Sequence, residues 1–397
     1  MPEDGAASPV RPARAVSGSE LKQIALSFLR LGTIAFGGPA AHIAMMEEEF
    51  VRRRRWVSQA DFLDMLGASN LIPGPSSTEM AIHIGHQRAG WRGLIAAGTS
   101  FILPAMLMVM ICAWAYAAFG ALPRIQHMLY GIKPVIIAIV LQALWRLGRT
   151  AVKDMFLGLI ALLATVAALA SQKILVILLA AGFVAMLRVW SREHRAQANL
   201  APLPIIKSLL APASATAAAL PIGLGGLFLL FLKFGAIVFG SGYVLLAFLQ
   251  ADLVNRLHWL TQAQLLDAVA VGQVTPGPVF TTATFIGYLL DGVPGALAAT
   301  LGIFLPGFVL VAASRPLIPR VRDSKIAGAF LDGVNVAAVG LMIAVTWQLG
   351  RAAVVDSMTG GIAALSAIIL IYFRINSLWL IVVGGIIGIG AGWRLGG

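Results

Sequence analysis

The stretch GLIAAGTSFILPAMLMVMICAWAYAAFG, residues 93–120, carries no charged side chain. VIIAIVLQALW (135–145, with its flanks) and LWLIVVGGIIGIGAGW (378–393) read the same way. A helix needs roughly 20 mainly apolar residues to cross a bilayer, and about twelve segments of the chain, some of them broken, approach that pattern. Short basic stretches punctuate the runs. The pattern predicts an all-α polytopic membrane protein. Inside this hydrophobic pattern the sequence NLIPGPSSTEMAIHIG (70–85) sets two prolines around a glycine, with three hydroxyls and a glutamate behind. Proline lacks the N–H and clashes with the preceding turn, so no helix continues through it. In hydrocarbon the freed backbone groups are tolerated only where they are buried in protein or line a cavity.

Composition sharpens this. Apolar residues make up 59% of the 397 and charged residues 12%, with mean hydropathy +0.88; a soluble domain carries about 25% charged residues. The net charge of +12 sits between apolar segments, which points to cytoplasmic loops and lipid headgroups rather than nucleic acid. The single cysteine, Cys112, lies in an apolar run, so neither a disulfide framework nor a cysteine metal site is expected. No metal or cofactor is expected. Residues 1–20 are polar and rich in Pro, Ala and Ser, without a signal-peptide core, and are read as a disordered cytoplasmic tail.

The chain repeats itself. FLRLGTIAFGGP (28–39) lies over FLKFGAIVFGSG (231–242) at an offset of 203 residues. The offset aligns Trp56 with Trp259, Asp64 with Asp267, and Pro73-Gly74-Pro75 with Pro276-Gly277-Pro278. It then falls to 202, aligning Gly131 with Gly333 and WRLGR (145–149) with WQLGR (347–351). The expected division is a first repeat at 21–187, a basic linker at 188–223 able to supply a connecting helix, and a second repeat at 224–397. Loop charge sets the orientation of the copies. VRRRRW (51–56), HQRAGWRG (86–93) and WRLGRTAVK (145–153) are basic, and their counterparts in the second copy are nearly neutral. The loop at 314–325 reverses the bias. Two inverted-topology repeats with broken, re-entrant helices are therefore expected, a transporter architecture with its site near the midplane. One crossing must then come from the linker, near 208–228.

The paired breaks are the candidate site. A helix starting behind a Pro-Gly-Pro turn points N–H groups and positive partial charge at the gap, which suits an anion. Pro73, Gly74 and Pro75 lead into Ser76, Ser77 and Thr78; Pro276, Gly277 and Pro278 lead toward Thr281, Thr282 and Thr284. Gly37 and Gly38 in the first copy, and Gly240 and Ser241 in the second, offer close backbone approach. The arrangement suits a tetrahedral oxyanion. Arg30 and Lys233 coincide across the copies and have two readings, balancing a dianion or snorkelling to an interface. Glu79 also has two readings, a capping-box partner of Ser76 or, with His83 at i+4 and His86 at i+7, a proton site at membrane depth. EEEFVRRRR (47–55) reads as a solvated hairpin of opposite charges, and GGIIGIGAG (384–392) as a helix-packing stripe.

Residues 36–93 and 239–295, above all LIPGPSSTEMAIHIGHQRAGWRG, resemble the chromate ion transporter family in its full-length, two-domain form. The resemblance covers almost the whole chain outside the tail and linker. It implies a secondary transporter that exports chromate across the bacterial inner membrane and confers chromate resistance, with sulfate as a related or competing anion. An anion channel, or a carrier of sulfate or another oxyanion, is the alternative on the same repeat. An enzyme is not expected, because no flavin, haem or redox-cysteine signature is present. A homodimer is left open.

Overall fold

The computed structural model describes residues 17–36, 38–170, 173–195, 223–239, 242–314, 324–373 and 375–395. Helices are the only regular secondary structure among the described residues. The first copy comprises α1 (Gly18–Ile34), α2 (Gly38–Met46, continuing as a π-helical turn over Glu47–Arg53), α3 (Gln59–Ser69), α4 (Ser76–Phe119), α5 (Pro123–Ala151), α6 (Met155–Ala170) and α7 (Ile174–Arg195). The second comprises α8 (Leu224–Ile237), α9 (Leu245–Leu249, with a π turn over Gln250–Arg256), α10 (Gln262–Val274), α11 (Thr282–Ser314), α12 (Lys325–Ala353), α13 (Ser357–Ile368) and α14 (Ser377–Leu395). Helix α1 starts inside the stretch assigned to the tail, because Ser17 and Glu20 form a reciprocal cap. Most of the proposed linker crossing, up to residue 222, lies outside the described residues.

The repeat persists down to single dihedral angles. Both π turns end the same way, with Trp56 N donating to Phe50 O and Trp259 N to Leu253 O, each 2.8 Å. Arg55 and His258 in these turns share φ 53°. The π turn also corrects the expectation of a hairpin at 47–55. Glu49 lies one helical turn from Arg53 and Arg54 and pairs with both, at 3.3 and 2.6 Å, while Phe50 is fully buried. The hydrogen bond from Arg54 holds the Glu49 carboxyl below the usual range.

Helix α4 would measure about 66 Å if straight, twice a bilayer core. It is instead folded at Ala89–Gly90, where Gly90 takes φ 55°, and α11 is folded alike at Asp291–Gly292, with Gly292 at φ 57°. The two arms of α4 meet backbone to backbone at Gly85 and Gly93, and those of α11 at Gly287 and Gly295. A side chain at any of the four would run into the opposite carbonyl. Each long helix is thus a half-helix (76–88 in the first copy) turned back onto a full span. Among the described residues, five helices are long and apolar enough to cross a membrane, and large apolar side chains such as Ile111, Trp114, Leu301 and Ile386 face outward.

The copies interlock rather than sit side by side. Gly131 of α5 packs against Gly384 and Gly388 of α14, and its counterpart Gly333 of α12 against Ala181 and Ala185 of α7. Within the stripe at 384–392, Gly384, Gly385 and Gly388 form a packing surface, while Gly390 meets nothing within 4 Å. Helices α5 and α12 touch with Ile137 at Gly350 and Val339 at Gly148, so these equivalent spans run antiparallel. Reciprocal contacts of this kind define a pseudo-twofold relation.

Candidate functional site

The two Pro-Gly-Pro turns lock into each other's copy. Gly74 N donates to Val238 O at 2.7 Å, and Gly277 N donates to Ala35 O at 2.9 Å. Both glycines have positive φ, 136° and 95°, which only glycine adopts at little cost. Each turn therefore closes on the helix break of the other repeat. Of the glycines proposed at those breaks, Gly38 has φ 78°, while Gly37, Gly240 and Ser241 lie outside the described residues.

Behind the first turn, Pro75 occupies the N-cap position of α4 and no side chain caps the helix. Thr78 N and Glu79 N donate to Pro75 O at 2.7 and 3.1 Å, which leaves the N–H groups of Ser76 and Ser77 without an intrahelical partner. This overturns the capping-box reading: proline at the cap leaves Ser76 already inside the helix, and Glu79 is free to turn elsewhere. The Glu79 side chain reaches back over Gly74, where a Cβ would collide with its Oε1, and its Cγ packs near Gly307 of α11. Glu79 is 0% exposed, and among the described residues neither carboxylate oxygen has a hydrogen-bond partner. The buried hydroxyls of Thr78 and Ser69 and Nε2 of His83 are equally unpartnered. Ser77 is engaged, with His42 Nδ1 3.2 Å from its Oγ and His42 Nε2 3.0 Å from Ala35 O.

The second copy differs in chemistry. Thr281 donates to Pro278 O and Thr282 to Val279 O, both at 2.8 Å, and Thr284 pairs with Thr300 at 2.8 Å. A hydroxyl proton given to a carbonyl is not available to an anion. Arg30 is exposed. Lys233 is bound to Asp252 at 2.6 Å, and Asp252 also holds Arg256 at 3.1 Å. The structure therefore gathers Gly74 to Glu79 into one buried polar cluster and leaves Arg30 and Lys233 in other surroundings.

Two residues were not visible as site candidates in the sequence. His42 follows the first break at AAHIA, but its hydroxyl partner is 35 residues away in sequence. Lys133, in mid-α5, lies 3.2 Å from Asp267, with side-chain exposures of 20% and 3%. Tyr116 donates to the same carboxylate at 2.9 Å. Asp64, the sequence counterpart of Asp267, is exposed, so the alignment alone gave no hint of this buried network.

The profile of the chromate transporter family matches residues 22–186 and again 225–389. A chromate transport protein of Cupriavidus metallidurans is 34% identical over 371 residues, covering 92% of this chain and 91% of its own. One from Pseudomonas aeruginosa is 33% identical over 390 residues, 94% and 91% of the two chains. The uncharacterized transporter YwrA of Bacillus subtilis is 30% identical over 128 residues, 32% of this chain and 72% of its own. No solved structure matches.

Proposed function

Because the chain belongs to the chromate transporter family, a family of multi-pass membrane transporters and not enzymes, we propose that it exports chromate from the cytoplasm across the bacterial inner membrane. The observation that carries the reading is the buried polar cluster at the start of α4, where the N–H groups of Ser76 and Ser77 lie beside the unpartnered Thr78 hydroxyl. A tetrahedral dianion supplies the acceptors these donors lack. It enters behind Pro73-Gly74-Pro75 and is held by the N–H groups of Ser76 and Ser77, with Ser76 and Thr78 as hydroxyl partners; the Ser77 hydroxyl proton is committed to His42. The second turn closes the cluster from the other repeat.

The repeats lie inverted in the bilayer in this proposal. The antiparallel contact of α5 with α12 supports it, and so do the opposite charge biases of their loops. Rocking of one repeat against the other around the crossed turns alternates access. With the interior negative, each negative charge moved outward gains about 2.3 kcal/mol per 100 mV, so export needs no ATP.

The test is chromate uptake into inverted membrane vesicles under an imposed potential, with sulfate as competitor. Potential-driven uptake that unlabelled chromate on the far side accelerates is expected of a carrier. Ser76→Ala with Thr78→Val should weaken apparent affinity about tenfold, the loss of one to two charge-assisted hydrogen bonds. Unchanged affinity would remove this cluster as the site, and movement of sulfate alone would remove chromate as the substrate.

A further inference from the structure

We propose that Glu79 carries one proton together with each oxyanion, so that the transported unit bears one negative charge rather than two. The inference rests on the reading of the cluster as the anion site. It starts from a difference between otherwise matching halves. Thr282 stands where the offset of 203 places Glu79, and its hydroxyl is spent on Val279 O. Only the first repeat holds an acid in the cluster.

Among the described residues, the packed elements bring no charge to Glu79. Helix α1 contributes Lys22 and Arg30, which are exposed, and Glu20, which pairs with Arg88 at 3.5 Å. On α2, His42 is held by Ser77 and Ala35. On α3, Asp61 and Asp64 are exposed. On α8, Lys233 is committed to Asp252, and on α10 Asp267 faces Lys133. Helix α11 meets Glu79 at Gly307, far along the chain from its one acid, Asp291, at the bend. A dianion seated at the same helix start would repel a bare carboxylate through a low-dielectric gap. A protonated one instead donates its O–H to the anion. Anion and proton therefore bind together.

The sequence also supplies a route for the proton. Glu79, His83 and His86 share one face of the half-helix at i, i+4 and i+7. His83 Nε2 is buried and unpartnered. His86 lies edge-on to Trp91 at 6.0 Å, beside the bend that brings the half-helix back to the span. A proton taken from water passes His86 and His83 to Glu79, travels with the anion, and is released to water on the far side. The net charge moved is minus two plus one.

The experiment uses purified full-length protein in liposomes, with both compartments alkaline enough to keep chromate fully dianionic. With the potential clamped at zero and one pH unit across the membrane, chromate should accumulate about tenfold on the alkaline side. With a potential and no pH difference it should accumulate about tenfold per 59 mV, the response of a single charge. Wild-type protein indifferent to the pH difference, and responding about a hundredfold per 59 mV, would overturn the proposal. Glu79→Gln should show that two-charge behaviour. His83→Ala should reach the wild-type equilibrium several-fold more slowly; an unchanged rate would overturn the relay. The wild-type measurement stands without either variant. Chromate that moves under neither gradient overturns the substrate reading and this coupling with it, whereas chromate driven by potential alone overturns only the coupling.

Discussion

At the scale of single residues, the first repeat is held by bonds that its sequence pattern conceals. His42 is 1% exposed and bridges the helix break at Ala35 to the hydroxyl of Ser77. It also stands edge-on to Phe101, with ring centroids 5.7 Å apart. One side chain thus ties the break, the half-helix and the span together. Replacing it by alanine leaves a carbonyl and a hydroxyl unpaired in a buried site, each costing about 1–3 kcal/mol. His42→Ala should therefore lower the melting temperature in detergent and weaken chromate affinity together. His42→Phe, which restores volume without the bonds, should recover part of the first and none of the second. A melting curve and a transport assay on both variants check this; affinity restored by phenylalanine would reduce His42 to a packing role.

At the scale of elements, two turned-back helices place the site, and glycine makes them. The half-helix must lie flush on its own span, since otherwise the Pro-Gly-Pro turn would not reach the opposite repeat. The contact at Gly85 and Gly93 leaves no room for a methyl group. Gly85→Val should cost 1–3 kcal/mol or more from overpacking and sharply reduce monodisperse protein on size-exclusion chromatography. Gly67→Ala, within α3, meets nothing within 4 Å and holds an ordinary helical backbone, and should survive. Equal behaviour of the two would refute the close-contact argument. The positions of these elements were legible in the sequence, because Pro-Gly-Pro and long apolar runs act through local backbone rules. The fate of the hydroxyls was not. Ser76 to Thr78 and Thr281 to Thr284 look alike on paper. Whether a hydroxyl donates to its own carbonyl or waits for a ligand depends on the turn geometry, 3₁₀ at Val279–Thr281 and direct α-helix at Ser76. Lys233 was misleading for a similar reason, since Asp252, 19 positions on, meets it only once the π turn has formed.

At the scale of the whole molecule, the copies exchange helices and share most of their core, while Ile24 to Phe101 supply a cluster of the first repeat alone. The largest hydrophobic cluster draws on residues from Ile102 of the first copy to Ile381 of the second. Under the inverted arrangement proposed above, the pseudo-twofold relation of antiparallel α5 and α12 puts the equivalent turns at Arg55 and His258 at opposite ends. Both residues are exposed, and both have φ 53°, which makes them matched reporters. With Cys112, the sole cysteine, replaced by serine, Arg55→Cys and His258→Cys can be probed in intact cells with a membrane-impermeant maleimide. Under inverted topology Arg55→Cys should label only after the membrane is opened, because its basic surroundings favour the cytoplasm, and His258→Cys should label from outside at once. Labelling of both from one face would mean parallel repeats. The two turns would then open to the same compartment, and the crossed Pro-Gly-Pro turns would lose the symmetry that lets one site face each side in turn.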